Sequence, residues 1–303
     1  MIDSILDAIG TPLLRLPSPE GATVAAKVES FNPGGSAKDR PAREMVLAAE
    51  EAGNLSPGDR IVEATSGNTG IGLAVVSAAR GYDLTIVMPA DMSQERRNLL
   101  RAYGADLELV EGSMTDANER AAEIAAETDA YPIRQFENDA NPRAHYRTTA
   151  EEILEQVDGR DIDAFVAAVG TGGTITGTSH RLLEEFPDME VVAVEPEGNA
   201  VLSGEEPGED AFQGMGPGFV SDILDVEVID TVETVAIDDA EAECRSLARE
   251  QGVLVGQSSG AVSLVAQRVA ERYAYEADDD EDPLVVTMFW DSGERYLTAG
   301  VFD

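Results

Sequence analysis

The stretch IVEATSGNTGIGLAVVSAARGYDLTIVMP, residues 61 to 89, decides the fold. IVEAT at 61 to 65 is a short apolar run of strand length that ends in a glycine-rich turn. An apolar helix follows through Ala79, and LTIVMP at 84 to 89 is a second buried-strand run. Strand, helix and strand in succession describe a βαβ unit of a parallel sheet covered by helices.

The same rhythm continues outward. A charged helix contains Gln94 to Tyr103, LELV follows at 107 to 110, and a helix rich in alanine and glutamate runs to Thr128. AFVAAVG at 164 to 170, VVAVEP at 191 to 196 and LVVTMFW at 284 to 290 repeat the pattern. A chain of 303 residues is long enough for two modest α/β units packed together. No repeat or low-complexity linker marks their boundary.

Composition narrows the function classes. The formal charge is −38, so no basic patch exists to neutralise phosphates, and nucleic acid is excluded as a partner. No window approaches the ~18 consecutive apolar residues of a membrane span. The opening MIDSILDAIG lacks a basic and apolar leader, which leads us to expect a cytoplasmic protein. One cysteine, Cys244, allows no internal disulfide, and it lies in a helical pattern as a packing residue. His145 and His180 have no ligand spacing, so no metal is expected. The acid is dispersed over the chain, with one dense run, EADDDED at 276 to 282, read as a solvated loop. Dispersed acid with only two lysines resembles proteins of salt-loving organisms, whose repulsion is suppressed when the screening length falls to about 3 Å at ~1 M salt.

Those two lysines are informative beside nineteen arginines. Lys38 lies in SFNPGGSAKDRPAREM, where a loop turns into a helix, and an amine at a positive helix end is suited to Schiff-base chemistry. On the lysine alone, a salt bridge to Asp39 is the plainer alternative. Lys27, in VAAKVES, reads as a structural residue on a strand.

Three glycine-rich turns follow apolar runs. TSGNTG at 65 to 70 offers backbone amides and the Thr65, Ser66 and Thr69 hydroxyls to a carboxylate, with Asn68 able to donate to a ring oxygen. GTGGT at 170 to 174 lacks the P-loop lysine and the dinucleotide spacing, which leaves a monophosphate as the better ligand and a bare turn as the alternative. GQSSGA at 256 to 261, after a strand-like VLV, offers Ser258 or Ser259 to a pyridine nitrogen. A hydrolase nucleophile there is rejected, because both histidines precede the serine.

Together these residues resemble the pyridoxal-phosphate enzymes of the tryptophan synthase β-subunit fold (PLP fold type II), and within it the cysteine synthases, or O-acetylserine sulfhydrylases. The resemblance runs from GTPLLRL at 10 to 16 to DSGERYL at 291 to 297 through KVESFNPGGSAKDR, TSGNTG, MPADMSQERRNLL, QFENDANPRAHYRTTAEEI, VGTGGTITG, GMGPGFV and GQSSGA. It implies two three-layer α/β/α lobes with mostly parallel sheets. Residues 1–38 and 148–303 would form a larger cofactor-binding domain, and 39–147 a smaller mobile domain carrying the asparagine loop, with the cofactor between them.

By position, the resemblance makes Lys38 the Schiff-base lysine and the base at Cα, and places Asn68 at the cofactor's 3′ oxygen. Gly170, Thr171, Gly172, Gly173 and Thr174 would cup the phosphate of pyridoxal 5′-phosphate, and Ser258 would bond the ring nitrogen. Thr65, Ser66, Thr69 and Gln135 would hold the substrate carboxylate. The implied reaction replaces the acetate of O-acetylserine by sulfide to give cysteine, in ping-pong order. A homodimer, and a complex with serine acetyltransferase, are carried by the family alone.

Two alternatives stay beside this reading: condensation of serine with homocysteine, as in cystathionine β-synthase, and a non-catalytic protein that binds pyridoxal phosphate. Asn68-Thr69 stands where threonine dehydratases and serine racemases show an Asn-His pair, and the short segment after DSGERYL argues against a regulatory module. No arginine lies between Ala211 and Leu224 to receive the doubly charged leaving group of O-phosphoserine. Ala37, Pro41, Asp139, Ser221 and Gln257 depart from the family's usual residues, and Gln257 adjoins the ring-nitrogen contact.

Overall fold

The computed structural model describes residues 1–90, 92–277 and 282–303, so most of the acidic run at 276 to 282 lies outside the described residues. Along the chain come β1 (Leu13–Leu16), β2 (Thr23–Val28), α1 (Asp39–Glu51), β3 (Arg60–Ala64), α2 (Asn68–Arg80), β4 (Asp83–Pro89) and α3 (Gln94–Ala102). Next are β5 (Asp106–Val110), α4 (Met114–Thr128), β6 (Tyr131–Pro132), α5 (Ala140–Ala144), α6 (Ala150–Gln156), β7 (Ala164–Ala168), α7 (Gly173–Glu185) and β8 (Glu190–Pro196). β9 (Thr231–Val235), α8 (Ile237–Ser246), α9 (Gln257–Glu276) and β10 (Leu284–Phe289) complete the order.

The chain divides into two compact units. The first comprises Met1–Ile9 and Asn32–Asn141, the second Gly10–Phe31 and Pro142–Asp303. In the first, four parallel strands run in the order β5-β4-β3-β6. Side chains of a strand alternate between faces, and here both faces are covered. Ile61, Leu84, Ile86 and Met88 pack with Met45 and Val46 of α1 and Ile71 of α2. Val62, Ala64 and Val87 pack with Ala117, Ala121 and Ile124 of α4 on the other. That is why these strands read as continuous apolar runs rather than as alternating ones.

In the second unit, six strands run β1-β2-β10-β7-β8-β9, with β1 antiparallel to β2 and the remainder parallel. β2, β7 and β10 are buried along their whole length. Lys27 is the exception that needs compensation inside β2: its buried ammonium donates to the Thr11 carbonyl, to Glu152 at 2.7 Å and to Gln156 at 2.9 Å. VLV at 253 to 255 is not a strand; only Val255 makes an isolated bridge, to Ser292. Among the described residues, no helix is long and apolar enough to cross a membrane, and no cluster of metal-ligating side chains occurs.

Candidate active site

Strand order decides where ligands bind. In the first unit the chain steps from β3 to β4 to β5 in one direction and then returns to place β6 on the opposite side of β3. The loops leaving β3 and β6 therefore diverge and open a crevice at the carboxyl ends of the strands. TSGNTG leaves β3, and Ile133 to Gln135 leaves β6. Across that crevice the Thr69 hydroxyl donates to Gln135 Oε1 at 2.6 Å, and both residues are buried. Gln135 is in turn fixed by Asn141 Nδ2, which donates to its carbonyl at 2.9 Å. Gly67 caps α2, its N–H donating to Thr65 Oγ1, while Ser66 and Asn68 stay half-buried at the helix start. Arg96 of α3 donates to the Ser66 carbonyl at 3.1 Å and steadies the turn from behind.

Lys38 belongs to the same unit. It is half-buried at the N-cap of α1, with its backbone N–H donating to Ser36 Oγ. Its carbonyl accepts from Ala42 and lies against α2 at Gly72, where an added Cβ would approach it to 2.8 Å. Pro41 sits in the first turn of α1, where a missing N–H removes no helical bond.

The second unit repeats the topology. β7, β8 and β9 step one way and β10 lies on the other side of β7, so GTGGT leaves β7 at a second switch point. Gly172 caps α7 with φ +85°, a left-handed conformation, and an added Cβ would lie 2.6 Å from Leu224 Cβ. At Gly170 an added Cβ would lie 2.5 Å from the Gly214 carbonyl. Thr171 and Thr174 are buried beside the first-turn amides of α7. A buried turn of glycines and threonines on a helix N-terminus, where side chains have no room, fits a phosphate held by backbone N–H groups. Behind it, Thr174 Oγ1 lies 3.3 Å from His145 Nε2, and His145 Nδ1 lies 2.9 Å from Thr149 Oγ1. His145 is carried on a π-helical turn, His145–Thr149, between α5 and α6.

At GQSSGA the two serines separate in role. Ser259 Oγ accepts from the Trp290 backbone at 3.0 Å, whereas Ser258 is the second residue of α9. Gln257 is turned to other work than the ring: it accepts from the Gln213 backbone at 3.1 Å and donates to Glu241 at 2.8 Å. Ser221 donates to the Thr171 carbonyl at 2.5 Å, tying the end of the GMGPGFV loop to the GTGGT turn. Neither tie was legible as such in the sequence, because a hydroxyl or amide replacing an apolar residue shows no partner. Cys244 is buried, donates to the Gly256 carbonyl, and burial pushes its thiol up to about 12, so it is no nucleophile.

Two open α/β sheets, a lysine at a helix start and a glycine-rich turn at a switch point with the shape for a phosphate fit one class of enzyme. The family described as pyridoxal-phosphate dependent enzyme matches residues 5–287, and the chain belongs to it. Its cofactor is pyridoxal 5′-phosphate. A cysteine synthase of Staphylococcus aureus strain Mu50 is 46% identical over 99% of this chain and 97% of its own length. Among solved structures, O-ureido-L-serine synthase is 45% identical with a TM-score of 0.94, covering 100% of this chain and 96% of that one. A cysteine synthase of Entamoeba histolytica is 37% identical with a TM-score of 0.93, covering 100% and 91%.

Proposed function

We propose that this enzyme makes cysteine from O-acetylserine and sulfide. The observation that carries the reading is 46% identity to a cysteine synthase over 99% of this chain, with Lys38 and the three glycine-rich turns present in it. In this reading Gly170, Thr171, Gly172, Gly173 and Thr174 hold the cofactor's phosphate, Asn68 its 3′ oxygen and Ser258 its ring nitrogen. When bound, the cofactor supplies an electron sink for charge developing at Cα of the amino acid.

Thr65, Ser66, Thr69 and Gln135 bind the substrate carboxylate. Lys38 holds the cofactor covalently at rest and, once released, takes the proton from Cα. The Cβ–O bond breaks and acetate leaves with its electron pair; the sulfur of sulfide then forms the Cβ–S bond, and Lys38 returns the proton to Cα. We propose further that the expected mobile domain of residues 39–147 corresponds to the compact unit of Met1–Ile9 and Asn32–Asn141, that the enzyme is a cytoplasmic homodimer able to bind serine acetyltransferase, and that its acidic surface is adapted to high salt.

The test is an assay in high salt of O-acetylserine with sulfide, O-acetylserine with homocysteine and serine with homocysteine. Cysteine from the first pair is expected. Turnover of serine with homocysteine alone would move the reading to cystathionine synthesis, and no turnover of any pair to a binding protein. Lys38→Ala is expected to abolish both turnover and the covalent yellow band that survives dialysis.

A further inference from the structure

Glu63 is an acidic residue inside an apolar strand. It shares the strand face of Ile61, which packs on α1 and α2, and only 6% of its surface reaches solvent. Its surroundings answer the question of why a carboxyl is kept there. One oxygen accepts the Arg134 backbone N–H at 2.9 Å and the other the Gln135 backbone N–H at 3.2 Å. The carboxylate is thus a two-point strap from β3 to the turn that leaves β6. That turn is under backbone strain, since Arg134 has φ +56°, a left-handed conformation disfavoured for any residue with a Cβ.

The strap ends one bond from the chemistry. Gln135, whose N–H is bound by Glu63, accepts the Thr69 hydroxyl on its side-chain oxygen. Its amide nitrogen is therefore the end that can donate, which is what an anionic carboxylate requires. We propose that Glu63 is a positioning residue for substrate recognition: by fixing the strained Arg134–Gln135 turn, it sets Gln135 and Thr69 for the carboxylate of the amino-acid donor. This rests on the assignment of Thr65, Ser66, Thr69 and Gln135 as the carboxylate site.

The strap is also sensitive to protonation. Burial pushes the Glu63 acid up to about 7, against the two backbone N–H bonds that hold it down. The charged groups acting on it are Arg134 and Glu137, both on the same turn. A protonated carboxyl turns a donor toward one of the two N–H groups and keeps only one bond. The amide in Glu63→Gln does the same at every pH.

The experiment measures KM and kcat for the amino-acid donor between about pH 6 and pH 8, with wild type, Glu63→Gln, Gln135→Ala and the double variant. Loss of one charge-assisted bond corresponds to roughly tenfold. Glu63→Gln is expected to raise KM about tenfold at the upper pH with a much smaller fall in kcat. Wild-type KM should climb as pH drops through about 7, and that of Glu63→Gln should stay level. Because Glu63 acts through Gln135, the double variant should be no worse than Gln135→Ala. Donor affinity read from the holoenzyme's absorbance should follow KM. Additive losses in the double variant, or an unchanged KM with only a lowered melting temperature, would overturn the proposal. If wild type turns over no donor at all, the failure belongs to the cysteine-synthase reading, and the absorbance titration with amino acids then tests Glu63 alone.

Discussion

Replacing Glu63 by glutamine should alter how the stability of the cofactor-free protein depends on pH, and the size of the change follows from its burial. In the unfolded chain the acid has its ordinary value of 4.5, and in the folded protein it is pushed up to about 7. Between those values the folded state holds more protons than the unfolded one. Stability from this group therefore falls as pH rises from 4.5 to 7 and is level above. Integrated between about pH 5 and about pH 8, the loss is about 2.5 kcal/mol. Urea unfolding is the appropriate assay, because an uncharged denaturant leaves the screening of the −38 surface constant at fixed high salt. Wild type minus Glu63→Gln removes the background titration of the other carboxyls. The difference is expected to drop by about 2.5 kcal/mol over that interval. A difference that stays within about 0.5 kcal/mol would show an ordinary acid at position 63 and refute the reasoning.

Other outcomes follow from sites described above. Gly172→Ala places a Cβ against Leu224 at a φ of +85°, a conformation costing about 1–2 kcal/mol for alanine; cofactor affinity, read by absorbance titration, should fall at least tenfold. Lys27→Met takes the ammonium away from Glu152, which keeps the Thr11 backbone N–H as a donor, and should cost about 3 kcal/mol in urea unfolding, whereas a loss below about 1 kcal/mol would show that the pair is dispensable. Dilution from about 3 M to about 0.1 M potassium chloride should lower the melting temperature, as self-repulsion of the acidic surface is unmasked; an unchanged value would contradict adaptation to salt.

The parallel core was legible because its strands are buried on both faces, so that IVEA, LTIVMP, AFVAA and LVVTMF carry their burial in their composition. The peripheral strands were not. β9 alternates only weakly, and β6 is two residues long, so neither has enough periodicity to stand out from a loop. VLV misled for the converse reason: Val255 is buried and Leu254 lies against Gly293, without a strand partner beyond one bridge. Glycine-rich turns after apolar runs marked Thr65 to Thr69 and Gly170 to Thr174 as strand-to-helix junctions, where the fold has them. Glu63 escaped, although a lone acid within IVEA was a visible signal, since its partners are backbone amides some seventy residues away. Contacts made by main-chain groups leave no residue type to recognise.

The contact of Gly72 with the Lys38 carbonyl carries a consequence for engineering. No side chain intervenes there to absorb a change, so the peptide bearing the amine and the helix that begins at Asn68 are in direct contact. Retuning the TSGNTG segment for a larger amino acid by tilting that helix would drag Lys38, the proposed Schiff-base residue, with it. Variants that widen substrate scope should therefore accumulate on the far rim, around Gln135, and leave the glycine at 72 untouched.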